Sequence, residues 1–258
     1  MKKKIIIIIL ILLLAIGLSF LYNYKKEKPT DSIKESEYKL ITEKEDYVAK
    51  NDEGTIIAKN RITKVTITNE AKKEQATKIE KSINKILQEY WDRANDQADE
   101  MLESGFYDAT IEDLNFGVVI NANEYAKSDK NYIIEIMEVG HFGGSEWNAK
   151  YLYNYNPNNG ELLSLKDISD NYDELQKIII KNTKEYLNKE YKKEDLFLED
   201  KTDEDLFDII KTNGNWALTN EGLVVIFQKN DIAPSSTGII EFTIDINNIK
   251  EYLNKDYK

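Results

Sequence analysis

Tyr38 to Thr68 alternates β-branched or aromatic residues with polar ones, and Ile62, Val65 and Ile67 with the threonines between them predict strands. The period then changes. From about Asn69 to Glu103, residues Ile79, Ile83, Ile86, Leu87, Tyr90, Ala94, Ala98, Met101 and Leu102 fall three to four apart. That spacing predicts one long amphipathic helix, with Asn69 as its cap and Gly105 as its stop. Phe116–Ala122 and Tyr132–Val139 are nearly continuous apolar runs, the pattern of strands covered on both faces. Trp147–Tyr155 alternates again, placing Trp147, Ala149, Tyr151, Tyr153 and Tyr155 on one face. Asn156-Pro157-Asn158-Asn159-Gly160 reads as a turn, with a return strand at Glu161–Leu165.

Helical spacing resumes over about Asp170–Lys189, with Leu175, Ile178, Ile179 and Leu187 inward, and over about Asp203–Thr212. A hairpin follows at Trp216–Thr219 and Gly222–Gln228, then a strand at Ile239–Ile246 and a short helix at Asn247–Leu253. Hairpins mixed with separate helices predict an α+β fold of antiparallel sheets packed with a few helices, after one N-terminal transmembrane helix. The predicted organisation is an anchor at 1–24, a linker at 25–37, an N-terminal α+β module at 38–139 and a C-terminal module at 140–258.

The anchor rests on Ile5–Leu21, a run without charge and long enough for a spanning helix. Lys2, Lys3 and Lys4 precede it, and Tyr22 and Tyr24 follow where an interfacial belt would lie. Gly17-Leu18-Ser19 is a poor cleavage site, so a removed signal peptide is the alternative. Both readings put the rest of the chain outside the cytoplasm, in the cell membrane or secreted. The three lysines also sharpen the charge. The net −12 of the whole chain becomes −15 over residues 25–258. Such a balance argues against nucleic-acid binding and suits a cationic partner.

Cysteine is absent and His141 is the single histidine, so thiol chemistry is excluded and an imidazole metal site or triad would rest on one residue. No phosphate-binding glycine motif occurs, and no cofactor is expected. Asp200–Asp208 imitates a calcium loop but lacks its glycine and its closing glutamate, and reads as a solvated acidic helix start. Carboxylate pairs for glycoside hydrolysis are too common here to mark a site. His141 among Gly140, Gly143 and Gly144 is either a ligand-contacting loop or a connection needing positive φ. The face of Trp147, Tyr151, Tyr153 and Tyr155 is either a binding stripe or a buried sheet face. The residues assigned to ligand binding are His141, Phe142, Trp147 and Tyr151, with no catalytic role expected.

Two stretches resemble a known family. Gly140–Ile168 has a glycine-flanked turn, a strand, a turn ending in Gly160 and then Leu163-Ser164-Leu165-Lys166-Asp167-Ile168. Asn215–Ile249 holds Trp216-Ala217-Leu218-Thr219, Gly222-Leu223, Asp231-Ile232-Ala233-Pro234 and a closing alternating strand. Together they resemble the C-terminal module of RsiV-like proteins, which pair domains of unknown function 4163 and 3298. Tyr38–Glu103 resembles the smaller preceding module, and the likeness covers about residues 38–254. The family consists of membrane anti-sigma factors of Gram-positive-type cells whose extracytoplasmic part binds lysozyme. Only Met1–Lys4 precede the apolar run, so sigma-factor inhibition is not carried over. The resemblance implies a membrane-anchored, non-catalytic binding or sensor module for a protein or cell-wall ligand such as lysozyme. The alternative is a peptidoglycan-directed enzyme or accessory module.

Overall fold

The computed structural model describes residues 37–105, 116–199 and 201–258. The expected anchor at 1–24 lies outside the described residues, as does the linker at 25–37 except for Glu37. No described helix is long and apolar enough to cross a membrane. Tyr38–Lys258 forms one compact unit.

Five strands form the larger sheet in chain order: β1 (Lys39–Lys50), β2 (Ile56–Thr68), β3 (Gly117–Lys127), β4 (Tyr132–Phe142) and β5 (Ser145–Tyr155). Helix α1 (Lys73–Ser104) crosses from β2 to β3. Its 32 residues extend about 48 Å at the usual rise per residue. The chain therefore re-enters the sheet in its original direction, and β2 and β3 pair in parallel at Arg61–Val119 and Ile62–Ile120. The sheet is mixed, which corrects the expectation of antiparallel sheets. Hydrophobic period reports which face a strand buries, not which way it runs.

The buried side of α1 is Ala76, Ile79, Ile83, Leu87, Tyr90, Trp91, Ala94 and Ala98, close to the stripe read from the sequence. Gly105 ends the helix at φ 63°. Asn69 acts just before the helix, accepting from the N–H groups of Ala71 and Lys72 at 3.1 and 2.9 Å.

Parallel pairing of β2 with β3 is short, and amide side chains complete it. Asn60 on β2 is fully buried. Its Nδ2 donates to the Ala94 carbonyl of α1 at 2.8 Å, and its Oδ1 accepts from Val118 N–H of β3 at 3.0 Å. Further along, Asn84 of α1 brackets Val65, accepting from its N–H at 3.1 Å and donating to its carbonyl at 2.6 Å. Glu80 accepts from Ile67 N–H at 2.8 Å. The helix thus supplies the partners that β2 lacks once it parts from β3.

The second half holds α2 (Tyr172–Glu190), α3 (Asp203–Lys211) and a small antiparallel sheet of β6 (Trp216–Leu218), β7 (Gly222–Phe227) and β8 (Ile240–Asp245), closed by α4 (Ile246–Ile249). Thr202 and Asp205 cap α3 reciprocally. The predicted strand at Glu161–Leu165 reduces to a single bridge, Leu162 with Tyr155. Every residue of β7 is buried. Leu223, Val225 and Phe227 join the core under α2 and α3. Val224 and Ile226, with Ala217, pack on Ile133 and Leu152 of the larger sheet. The layers are therefore α1, large sheet, small sheet, then α2 and α3. Strand β4 passes through residues 139 and 140, where the sequence places a module boundary.

Asn60→Ala should lower stability by about 1–3 kcal/mol, because it strands a buried carbonyl and a buried N–H together. Asn84→Ala should cost less, since its site is only partly buried. Urea unfolding of each variant, with an unchanged slope, checks the order.

Candidate binding cleft

The outer edge of β5 is where the two sheets meet. Leu152 N–H donates to the Gly214 carbonyl at 2.8 Å, and Leu152 bridges Asn215 in parallel. One pair later the strands diverge and the Asn154 side chain spans the gap. Its Nδ2 donates to the Trp216 carbonyl at 2.8 Å and its Oδ1 accepts from Leu218 N–H at 3.0 Å. In the other direction Gln228 plays the same part. Its Oε1 accepts from Lys150 N–H at 3.1 Å and its Nε2 donates to the Lys150 carbonyl at 2.6 Å.

Beside this junction opens a cleft of about 580 Å³. Tyr90 and Arg93 of α1 and Tyr151 of β5 form one wall. Asp208, Ile209 and Thr212 of the α3 end, with Asn213, Asn215, Gln228 and Asp231, form the other. Gly214, at φ 103°, lets the loop pass close to Tyr151, where a Cβ would stand 3.1 Å from its Cδ1.

The first wall is held in place. Arg93 lies over the Tyr90 ring at 4.6 Å and pairs with Glu138 of β4 at 2.7 Å. The Tyr90 and Tyr153 hydroxyls meet at 3.1 Å, and Tyr90 and Tyr151 rings lie 5.2 Å apart. Burial raises the pKa of all three phenols, so they stay neutral and act as donors, acceptors and stacking faces. On the far wall Asp208 pairs with Lys211 at 2.5 Å. Asp231 is half-buried, and its Oδ2 accepts from Gln228 N–H at 2.8 Å. Burial pushes its carboxyl above the usual aspartate range against that hydrogen bond.

The four residues assigned from the sequence do not converge. Gly140, His141 and Phe142 belong to β4, and the loop shrinks to Gly143 and Gly144 at φ 57° and 79°, a two-residue hairpin turn. Alternation sends His141 to the face opposite Phe142. His141 is exposed and its ring lies on Gly117, where a Cβ would come within 2.3 Å. Phe142, Trp147 and Tyr151 share the α1 face. Trp147 covers Gly140 and tilts against Phe116 at 5.9 Å. The aromatic stripe is graded: Tyr153 and Tyr155 are buried, while Trp147 and Tyr151 are half-buried. Of the four, Tyr151 alone lines the cleft. Arg93, Asp208, Gln228 and Asp231 were not singled out as site residues. Asp231 opens the Asp-Ile-Ala-Pro segment on which the family resemblance rests, and that is the one sequence signal that marks it. Among the described residues no group of three or more His, Cys, Asp or Glu is placed to hold a metal ion.

Residues 162–247 match the family described as "Protein of unknown function (DUF3298)". The chain carries a DUF3298 domain. That domain supplies α2, α3, the small sheet and the Asp208–Asp231 wall of the cleft. No curated protein matches the chain. Among solved structures it is similar to a DUF3298 family protein from Pseudomonas aeruginosa PAO1. The TM-score is 0.56 at 15% identity, over 86% of this chain and 97% of that one. It is also similar to a member of the DUF3298 family from Bacteroides fragilis NCTC 9343. There the TM-score is 0.57 at 14% identity, over 86% and 96% of the two chains. At such identities the likeness shows the shared fold.

A raised carboxyl pKa means that the folded state binds the proton more tightly than the unfolded one. The Asp231 contribution is therefore most favourable below the ordinary aspartate range and falls as pH rises through its raised pKa. Asp231→Asn keeps the acceptor for Gln228 N–H and removes the charge. It should raise the urea midpoint at pH 7 and leave it unchanged at pH 3.

Proposed function

We propose that the chain is a membrane-anchored, extracytoplasmic binding or sensor module of the RsiV-like type, acting without catalysis on a cationic protein or cell-wall ligand such as lysozyme. The observation that carries this reading is the cleft beside β5. A half-buried carboxylate, Asp231, a half-buried tyrosine ring, Tyr151, and the amides of Asn213, Asn215 and Gln228 line it together. Aromatic rings, amides and a desolvated charge are the groups from which binding hot spots are made. The −15 over residues 25–258 favours encounter with a cationic partner. The apolar run Ile5–Leu21 supports the anchor.

Calorimetric titration of the full chain in detergent micelles with hen lysozyme should give a Kd in the micromolar range or tighter. Raising salt from about 0.05 to 0.3 M should weaken it, since exposed charges are screened over shorter lengths. Absence of heat at micromolar concentrations in both buffers excludes lysozyme as the ligand.

A peptidoglycan-directed enzyme is the second reading, and one observation favours it. Asp231, with its raised pKa, shares the cleft with a second carboxylate, Asp208. Release of reducing sugar from purified peptidoglycan, abolished in Asp231→Asn, establishes that reading. No release by the unaltered chain removes it.

A further inference from the structure

The outer edge of β5 is sealed along one part and open along another. In an antiparallel pair, residues alternate between facing the partner strand and facing away with both backbone groups. Lys150, Leu152 and Asn154 face away: Lys150 to Gln228, Leu152 to Gly214, and Asn154 as acceptor from Leu163 N–H at 2.8 Å. Counting back by twos, the N–H and C=O of Asn148 and Glu146 also face away. The hairpin gives the same phase. A two-residue turn makes Phe142 and Ser145 a hydrogen-bonded pair, so His141–Glu146 and Val139–Asn148 are non-hydrogen-bonded pairs. Among the described residues nothing takes up these four outward groups. They continue the line in which the Gln228 amide already stands in for a neighbouring strand.

The open edge leads directly to the cleft, since Tyr151 follows it on the same strand. The charge there selects the occupant. Of the charged groups that line the cleft, Arg93 is paired with Glu138 and Asp208 with Lys211, whereas Asp231 has no ion-pair partner among the described residues and is the charge that a ligand would meet. Glu146 is exposed on the open edge itself. A second copy of this chain would bring like charges together at that edge.

We propose that the outer edge of β5 receives an extended segment of a cationic partner protein as an added strand. Its backbone pairs with Glu146 and Asn148, and one of its basic side chains enters the cleft between the Tyr151 ring and the Asp231 carboxylate. Main-chain bonds supply affinity in this mode and the side-chain pocket supplies preference. A guanidinium or ammonium there gains both a carboxylate and an aromatic face. The proposal rests on the reading of the chain as a binding module for cationic proteins and names the surface and the mode.

The test uses the full chain in detergent micelles with two probes. One is hen lysozyme. The other is the capped peptide Thr-Val-Arg-Val-Thr-Val, with a control in which Glu replaces Arg. Asn148→Pro removes an N–H that faces away from β4, at an edge position where proline is tolerated, so the sheet should persist by circular dichroism. Glu146→Pro is the second variant should that one fail to fold. The expected result is that the arginine peptide binds, the glutamate peptide does not, and the proline variant weakens peptide and lysozyme binding about ten-fold or more. Asp231→Asn should weaken binding of the arginine peptide, and arginine-peptide binding unchanged in that variant overturns the placement of the basic side chain beside Asp231. Lysozyme binding that is unchanged in a folded proline variant overturns the added strand and leaves the binding reading standing. Peptide binding without lysozyme binding supports the added strand and removes lysozyme as ligand. Absence of peptide binding overturns the proposal. So does self-association of the chain that is lost in the proline variant, because the edge then belongs to a second copy.

Discussion

The structure depends on what happens along one edge of β5. Among the described residues, direct backbone pairing between the edge of β5 and the segment that opens the small sheet is confined to Leu152 with Gly214 and Asn215. On either side a carboxamide takes over: Asn154 reaches Trp216 and Leu218, and Gln228 reaches Lys150. A carboxamide offers a donor and an acceptor with nearly the spacing of a peptide group, so it can prolong a ladder that its backbone has left. Asn154 is almost wholly buried, which makes this pairing obligatory. Lys150 adds a second tie on the opposite face, meeting Glu135 at 3.3 Å and Glu241 at 2.7 Å. Through these contacts the DUF3298 domain is fixed against the large sheet, and the cleft between them takes its shape.

The same device recurs under α1. Asn60 joins β2, β3 and the helix, and Asn84 brackets Val65. The long crossover helix forces β2 and β3 parallel over a short span, and the amides absorb the divergence beyond it. Both halves of the molecule therefore rely on buried carboxamides where strands separate. An edge treated in this way is complete only as far as the side chains reach. On β5 that reach stops at Lys150, leaving Asn148 and Glu146 beside the cleft that holds Tyr151 and Asp231.

Much of the fold was legible in the sequence. The spacing of Ile79, Ile83, Leu87, Tyr90, Ala94 and Ala98 gave α1, and Gly105 its end. The continuous run Gly222–Phe227 matched a strand buried on both faces. Strand direction was not legible, because alternation carries no sense of polarity. The stripe from Trp147 to Tyr155 was one face, yet its burial changes along the strand because α1 covers Tyr153 and Tyr155 more completely than Trp147. His141 was grouped with Phe142 by adjacency, and a strand puts neighbours on opposite faces. Arg93, Asp208 and the Gln228–Asp231 turn come from three separate places in the chain, so no spacing could unite all four residues. Of these, Asp231 alone belongs to the Asp-Ile-Ala-Pro motif that the family resemblance quotes.

The central claim is that β5 presents an unfilled edge that a partner completes. Residue-resolved amide hydrogen exchange, with and without saturating lysozyme, tests it most directly. In the free chain the Glu146 and Asn148 amides should exchange fast, while Lys150 and Leu152 on the same edge are protected by Gln228 and Gly214. On binding, Glu146 and Asn148 should slow about ten-fold or more while the rest of β5 is unchanged. Protection of Glu146 and Asn148 in the free chain, or exchange at these two amides that lysozyme binding leaves untouched, would contradict it.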